Sequence, residues 1–325
     1  MVFPAISTVK TTAAERLQRA TNARKIVLLY AGVPAVISLV LTLISYLLSL
    51  QIADTGGLGG LGTRSLLETL QRMLQIVSIV FSVFWAYGYT RVLLHWSRGE
   101  RAWNGDLLEG FRRWGVVLRG ALLQMLLYFG AFILAMQLSS VLFALTPLAD
   151  NMAALLEQML ADPSFMPSEE AMLDALVGYL PFLAVSMMVL ILPLVYRLRM
   201  MNFVLMDQPE MGAVYAMRVS TLMMRKNRLK LFKLDLSFWW FYLLELLVSA
   251  LYYSDVALQL AGVDLGLSSD ALFFAACVLG LAAQTALYVW RRNNVMLAYT
   301  AVYDDLKIQF QEFLEKQTEY PGRAI

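Results

Sequence analysis

Charge is scarce in this sequence of 325 residues, because only 15% of them are charged whereas 59% are apolar. An average soluble domain carries about 25% charged residues. The single cysteine, Cys277, excludes a disulfide within the chain, and the single histidine, His95, excludes a cluster of histidine metal ligands. The composition therefore argues against a water-soluble globular protein, a disordered chain or a coiled coil.

What is present instead is a series of six apolar runs, each long enough for a helix of about 20 residues to cross a bilayer. Backbone groups in lipid must be hydrogen-bonded within each run, so we expect helices, and the short alternating segments of a membrane β-barrel are missing. The first run is too long for the apolar core of a signal peptide, so we expect it to be retained. The runs are 26–52, 73–96, 120–149, 175–196, 236–254 and 271–290.

Lysine and arginine are distributed very unevenly between the segments that join these runs. If the N-terminus is cytoplasmic, the inner segments hold 23 of the 26 basic residues and the three outer loops hold 2. Inner loops of membrane proteins carry such an excess of positive charge. The sequence therefore predicts an all-α, polytopic membrane bundle of six spans in a single domain. Both termini are expected in the cytoplasm. Residues 291–325 are expected to form a cytoplasmic tail, whose helical spacing over 295–317 predicts that it continues the sixth helix or docks beneath the bundle.

The six spans pair into three hairpins, each preceded by a basic and half-apolar stretch, at 13–25, 106–119 and 210–233. This likeness fits a three-fold internal duplication and generic interfacial anchoring equally well. The third stretch predicts a cytoplasmic amphipathic helix that binds anionic lipid or a protein partner, although its charges also serve to orient the chain. Its basic residues are Arg218, Arg225, Lys226, Arg228, Lys230 and Lys233.

Three motifs carry a family resemblance. Residues 220–240 read STLMMRKNRLKLFKLDLSFWW, residues 298–306 read AYTAVYDDL, and residues 107–113 read LLEGFRR. Together they resemble a bacterial integral membrane family, found mostly in Firmicutes and catalogued as domain of unknown function 975, over about residues 85–307. The resemblance implies a multi-pass protein of the bacterial cytoplasmic membrane without established biochemistry. Its motif positions here are Asp235, Ser237, Phe238, Tyr303 and Asp304.

No motif of catalysis or cofactor binding is present. H-E-x-x-H and G-x-S-x-G do not occur, and the glycine run at 56–62 lacks the Lys-Ser/Thr that follows a phosphate-binding loop. His95 stands beside Trp96 near the end of the second run, as an interfacial anchor does. We therefore expect no catalytic site, no metal and no cofactor.

Glu245 is the one carboxylate deep inside a predicted span. A charge at that depth is costly and usually faces an interior or a cavity. The functional interpretation is a group that couples protons or binds substrate, and the structural one is a carboxyl hydrogen-bonded to another helix. We favour the structural interpretation. Partners that the sequence offers are Gln124, Gln137, Gln284 and Thr285.

Three functional classes follow. The first is a non-enzymatic membrane accessory factor that acts through anionic lipid or a membrane-protein partner, because catalytic motifs are missing and intramembrane polar residues are few. The second is a transporter of a small solute or lipid that uses Glu245. The third, an intramembrane enzyme, has the least support. Partners expected beyond the lipid bilayer are an anionic lipid, a membrane protein or further copies of the chain, and no nucleic acid.

Overall fold

A computed structural model describes residues 3–20, 22–54, 61–161, 168–254 and 269–319, and within these ranges it contains helices and no strand. Long apolar runs explain the long helices, since a backbone without water neighbours satisfies its polar groups best in a helix. The longer helices are α1 (Ile6–Arg19), α2 (Ala23–Asp54), α3 (Leu61–Ser97), α5 (Trp114–Ala144), α6 (Leu148–Ala161), α7 (Glu169–Leu198), α9 (Gly212–Met224), α11 (Trp239–Leu251), α12 (Ser269–Leu287) and α13 (Asn293–Glu319). The shorter ones are α4 (Glu109–Arg112), α8 (Met201–Asp207) and α10 (Arg228–Leu236).

Five helical stretches in the described part of the chain are long and apolar enough to cross a membrane. A sixth is reached if α10 and α11, which meet at a bend of 65°, are taken as one span. The sequence predicts a continuous fifth span at 236–254, but α11 has only 13 residues and is about 20 Å long. The stretches are Ala23–Leu48, Ser65–Ser97, Trp114–Ala144, Leu176–Asp207 and Ala271–Lys316.

The long helices expose large apolar side chains around much of their surface. Val36 on α2, Met125 on α5 and Met188 on α7 are 62%, 66% and 69% exposed. Soluble proteins rarely expose apolar surface on this scale. This surface, together with the length of the helices, indicates a membrane protein.

The buried core lies at one end of the bundle. It gathers the N-terminal end of α2 and the C-terminal end of α3 with residues of α1, α8, α9, α10 and α13; we call this layer the hub. Helix α13, in the segment expected to be a tail, is its central element and packs against α1, α3 and α9. Tyr299, Val302, Tyr303 and Leu306 of α13 are almost fully buried.

Two glycines allow the backbone of α3 to contact the backbone of α4 and of the 3₁₀ turn that precedes α4. A Cβ atom at Gly88 would lie 1.9 Å from the carbonyl oxygen of Leu107, and one at Gly110 would lie 2.0 Å from that of Phe84. No side chain fits at such distances. The LLEGFRR motif, which contains Gly110, therefore places this turn directly on α3.

The third basic stretch is not one helix, as the sequence predicts, but two. Helix α9 ends at Met224, a turn follows, and α10 begins at Arg228. In the turn, the buried side chain of Asn227 donates a hydrogen bond to the carbonyl oxygen of Met223, 2.9 Å away. Asparagine competes with helical hydrogen bonding in this way, which explains the interruption.

Candidate functional site

Glu245 contacts two side chains that follow the C-terminal end of α12. The hydroxyl of Tyr288 donates to Glu245 Oε1 at 3.0 Å, and Arg292 Nη1 lies 3.7 Å from the same oxygen. Both partners belong to a π-helical turn, Tyr288–Arg292, between α12 and α13. Such turns are rare, and in known proteins they are frequent at functional sites.

Polar contacts continue from Tyr288 along α12. Gln284 Nε2 donates to the Tyr288 hydroxyl at 3.2 Å, and the hydroxyl of Tyr252 donates to Gln284 Oε1 at 2.8 Å. Gln284, one of the partners suggested by the sequence, thus reaches Glu245 through a tyrosine. Gln124 instead donates to Asn202 Oδ1 at 2.8 Å in another part of the bundle.

Arg292 is held by aromatic rings as well as by its ion pair. Its guanidinium carbon lies 4.0 Å from the ring centroid of Tyr288, and its Nη2 donates to the hydroxyl of Tyr30 at 3.3 Å. Tyr30 stacks on Tyr89, with ring centroids 3.9 Å apart. Within the described residues, Nε of Arg292 is buried without a hydrogen-bond partner. A cation in this position retains donor capacity.

A cavity of about 330 Å³ lies beside Arg292, between α2, α3 and α12; we call it the polar cavity. Hydroxyl and amide groups form much of its wall, and Arg292 is the one charged residue among its described lining residues. Glu245 lies outside the wall. The polar lining residues other than Arg292 are Tyr30, Ser38, Ser78, Ser82, Tyr252, Gln284, Thr285 and Tyr288.

A second polar cluster lies in the hub, around Asp207 at the end of α8. Arg98 Nη2 donates to Oδ1 at 2.6 Å, while Lys307 Nζ and the hydroxyl of Tyr303 donate to Oδ2 at 2.6 and 2.8 Å. Burial opposes the charge on Arg98, but the hydrogen bond and charge of Asp207 outweigh it and raise the pKa of Arg98. The carboxylate thus joins α8 to α13 and to the residue after α3.

A third cluster surrounds the motif residue Asp235 on α10. The hydroxyl of Tyr196 donates to Oδ2 at 2.6 Å, and the hydroxyl of Tyr299 donates to Oδ1. Tyr242 is hydrogen-bonded to Tyr299, and the guanidinium of Arg199 lies 4.6 Å from the Tyr299 ring centroid. The carboxylate of Asp235 therefore joins α10 to α7 and α13, and Tyr299 extends the cluster to α11.

Two of the other motif positions, Phe238 and Asp304, connect elements of the hub, whereas Ser237 bonds locally. Ser237 donates a hydrogen bond to the carbonyl oxygen three residues earlier, where α10 ends. The buried ring of Phe238 lies 4.6 Å from Nζ of Lys10 on α1. Asp304 on α13 pairs with Arg16 on α1 at 2.9 Å.

Most of the predicted basic residues remain on the surface. Arg218, Arg225, Lys226, Lys230 and Lys233 are exposed, whereas Arg228 is half-buried. Large apolar side chains are exposed beside them on α10 and at the start of α11. We define the basic surface as Arg225, Lys226, Lys230 and Lys233 together with the exposed Leu229, Phe232, Leu236 and Trp239.

Sequence reasoning missed Arg292 and the polar cavity. Arg292 follows a tyrosine and a tryptophan at the end of an apolar run, which is the pattern of an interfacial anchor. The cavity does leave a signal, because Ser78 and Ser82 recur at helical spacing on α3 and Ser38 faces them from α2. Polar residues at that spacing inside an apolar run point to a shared polar face.

These features define a class: over its described residues the protein is helical, with five helical stretches able to cross a membrane and several buried or half-buried polar clusters. The chain belongs to the family described as protein of unknown function DUF975, whose model matches residues 6–288. The match begins well before residue 85 and includes Asp235, Ser237 and Phe238, but it ends before Tyr303 and Asp304. No curated protein and no solved structure matches the chain.

Proposed function

We propose that the chain crosses the bacterial cytoplasmic membrane six times, as three hairpins with both termini in the cytoplasm. The ratio of 23 inner to 2 outer basic residues supports this orientation. Packing of α2 on α3, α5 on α7 and α11 on α12 supports the pairing. In this arrangement α11 is a short fifth crossing, and α10 enters it from the membrane surface through the bend.

We propose a non-enzymatic function, in which the basic surface binds an anionic lipid or the acidic face of a membrane-protein partner. The observation that carries this proposal is the exposure of four basic side chains beside four large apolar ones. Such a combination is typical of segments that lie in a membrane interface and attract anionic head groups. Each cation near an anionic membrane surface contributes about 1 kcal/mol of attraction.

Native mass spectrometry of protein extracted from bilayers of equal phosphatidylglycerol and phosphatidylcholine tests this proposal. We expect wild-type protein to retain phosphatidylglycerol preferentially. A variant with all four basic residues of the basic surface changed to glutamine should lose that preference, since the attraction requires their charge.

A matched control removes four exposed cations elsewhere. We expect it to retain phosphatidylglycerol as wild-type protein does. Equal loss in both variants would mean that net charge alone determines binding, and retention by the first variant would contradict the proposal. The control residues are Arg101, Arg112, Arg119 and Lys316.

A second candidate function is transport of a small solute, which the contact of Glu245 with Tyr288 and Arg292 favours. Carboxylates inside membrane bundles often take part in proton relays. With a pH dye inside proteoliposomes and a solute gradient across them, wild-type protein should move protons and Glu245→Gln should not. Glu157→Gln on the exposed side of α6 is the control and should behave as wild type. Proton movement through Glu245→Gln would contradict this candidate.

A further inference from the structure

Two helices of the bundle carry polar stripes along otherwise apolar lengths. Ser38, Thr42 and Ser45 recur every three or four residues on α2, so they share one face. A second stripe follows the same spacing on α3 and consists of Gln71, Gln75, Ser78 and Ser82. Polar side chains inside a membrane are costly and usually face an interior or a cavity, so two such stripes need an explanation.

The stripes face each other across a groove of about 590 Å³, which we call the α2–α3 groove. It lies toward the C-terminal end of α2 and the N-terminal end of α3. Ser38 and Ser78 line both this groove and the polar cavity, so the two spaces adjoin. Polar side chains therefore continue from the level of Ser45 and Gln71 to Arg292. The polar residues that line the groove are Ser38, Thr42, Ser45, Tyr46, Gln71, Gln75 and Ser78.

The electrostatics of this route favour an anion. No acidic residue is among the described residues that line the groove or the polar cavity, and Arg292 is the one cation. Glu245 lies behind Arg292, where it balances part of the charge without facing the cavity. A cavity with charge of one sign and low-dielectric walls concentrates ions of the opposite sign.

We propose that the polar cavity binds a small water-soluble anion, with a carboxylate or phosphate group on a hydroxylated body, which enters through the α2–α3 groove. Arg292, the one cation of the described lining, binds the anionic group through its guanidinium. Hydroxyl and amide groups of Tyr30, Gln284 and Thr285 bind the body. A volume of about 330 Å³ lies at the lower end of the range for ligand pockets and fits a metabolite of a few carbon atoms.

This site is independent of the basic surface, because none of its residues belongs to α10. Binding in the polar cavity is compatible with transport, and equally with a protein that senses the anion while it contacts lipid. Failure of the lipid experiment above therefore leaves this inference unaffected.

Cysteine accessibility tests the route to water. In a Cys277→Ala background, Ser78→Cys places a thiol where groove and cavity meet, and Val77→Cys places one on the exposed apolar side of α3. The cysteine thiolate, not the thiol, attacks the sulfur of a thiosulfonate reagent and releases a sulfinate, and a thiol ionises to the thiolate only where water reaches it. A water-soluble thiosulfonate reagent should therefore modify Ser78→Cys at least tenfold faster than Val77→Cys. Equal rates would overturn the inference.

The charge of the site is tested with two such reagents of similar size, one anionic and one cationic. At Ser78→Cys the anionic reagent should react faster by about tenfold or more, because Arg292 attracts it. Arg292→Gln should abolish that preference, and Arg292→Lys should restore it in protein of the same thermal stability. A preference that persists in Arg292→Gln, or is absent from the start, would overturn the proposed role of Arg292.

The ligand is probed with glycerol 3-phosphate, with glycerol at the same concentration, and with a short-chain phosphatidic acid. Glycerol 3-phosphate should slow modification of Ser78→Cys, whereas glycerol should not. Protection by phosphatidic acid alone would assign the cavity to a lipid head group and overturn the proposal of a soluble anion. Absence of protection by both phosphates would also contradict it.

Discussion

Single carboxylates hold together elements of the hub that are far apart in the chain. Asp207 accepts hydrogen bonds from Arg98, Lys307 and Tyr303, and Asp235 accepts them from two tyrosines. A buried carboxylate with several donors is stable because its lost hydration is replaced. At the residue scale, Asp207 and the motif position Asp235 therefore have a structural explanation.

Asp207→Asn tests this explanation. The substitution keeps the shape of the side chain but leaves Arg98 and Lys307 without their anion. Asp207 is only 4% exposed, so we expect a loss of about 3 kcal/mol in the free energy of unfolding, measured by SDS titration in detergent. Glu312→Gln, on the exposed side of α13, should change it by less than about 0.5 kcal/mol. Equal effects would show that Asp207 contributes nothing specific.

Gly110→Ala provides a test of the contact between α3 and α4. The added Cβ would overlap a backbone oxygen, which cannot move without displacing α3. We expect a loss of about 3 kcal/mol in the same titration, and a similar loss for Gly88→Ala. Gly130→Ala on α5 meets no atom within 4 Å and should stabilise the protein by about 0.5 kcal/mol. If Gly110→Ala is as stable as Gly130→Ala, the close approach is not real.

The sequence identifies Glu245 as a candidate because a carboxylate in the middle of an apolar run is unusual. It does not identify Tyr288 and Arg292 as the partners of Glu245. Their approach depends on a π-helical turn, and hydrophobic periodicity does not distinguish such a turn from a regular helix. Arg292 was further obscured because tyrosine and arginine at the end of a span are common anchors. The composition around Glu245 shows that it lies deep in a span, whereas the residues that contact it are determined by tertiary packing.

At the scale of elements, short polar interruptions divide the chain more finely than hydropathy predicts. Asn227 separates α9 from α10, and the hydroxyl of Ser237 bonds to a backbone carbonyl at the bend between α10 and α11. The predicted basic helix at 210–233 and the predicted span at 236–254 both overlook these breaks. A side-chain hydrogen bond to the backbone marks each break. Hydropathy averaged over a window of many residues does not register such a local contact.

Deletion of one residue tests the π-helical turn. Removing Val289 should convert it into an ordinary α-helical turn, because a π turn contains one extra residue, and the faces of α12 and α13 should keep their orientation. We expect a folded protein in normal yield.

Removal of Ala298 from regular helix in α13 is the control. It rotates every following residue by about 100°, so Tyr303 and Leu306 should leave the hub and the yield of folded protein should collapse. The yield of monodisperse protein from the two deletion variants is compared by size-exclusion chromatography. Equal yields from both deletions would contradict the extra-residue interpretation.

At the scale of the whole molecule, apolar spans and a buried hub are two distinct layers. Composition predicts the spans, because apolar runs of more than 20 residues are typical of helices that cross a bilayer. The hub was not predictable to the same extent, since its core combines residues from α1, α3, α8 and α13 that are distant in sequence. The helical spacing of apolar residues after residue 291 predicts a tail that continues the sixth helix or docks beneath the bundle, and its buried tyrosines make it the centre of this layer.

Orientation in the membrane is the claim on which the proposed function depends, because the basic surface meets the anionic inner leaflet only if the hub is cytoplasmic. The measurement that tests it most directly is labelling of Lys230→Cys and Glu157→Cys, each in a Cys277→Ala background, with an impermeant maleimide. We predict that Glu157→Cys on α6 is labelled in intact cells and that Lys230→Cys on α10 is labelled only after the inner membrane is permeabilised. Labelling of Lys230→Cys in intact cells would place the basic surface outside and contradict the account.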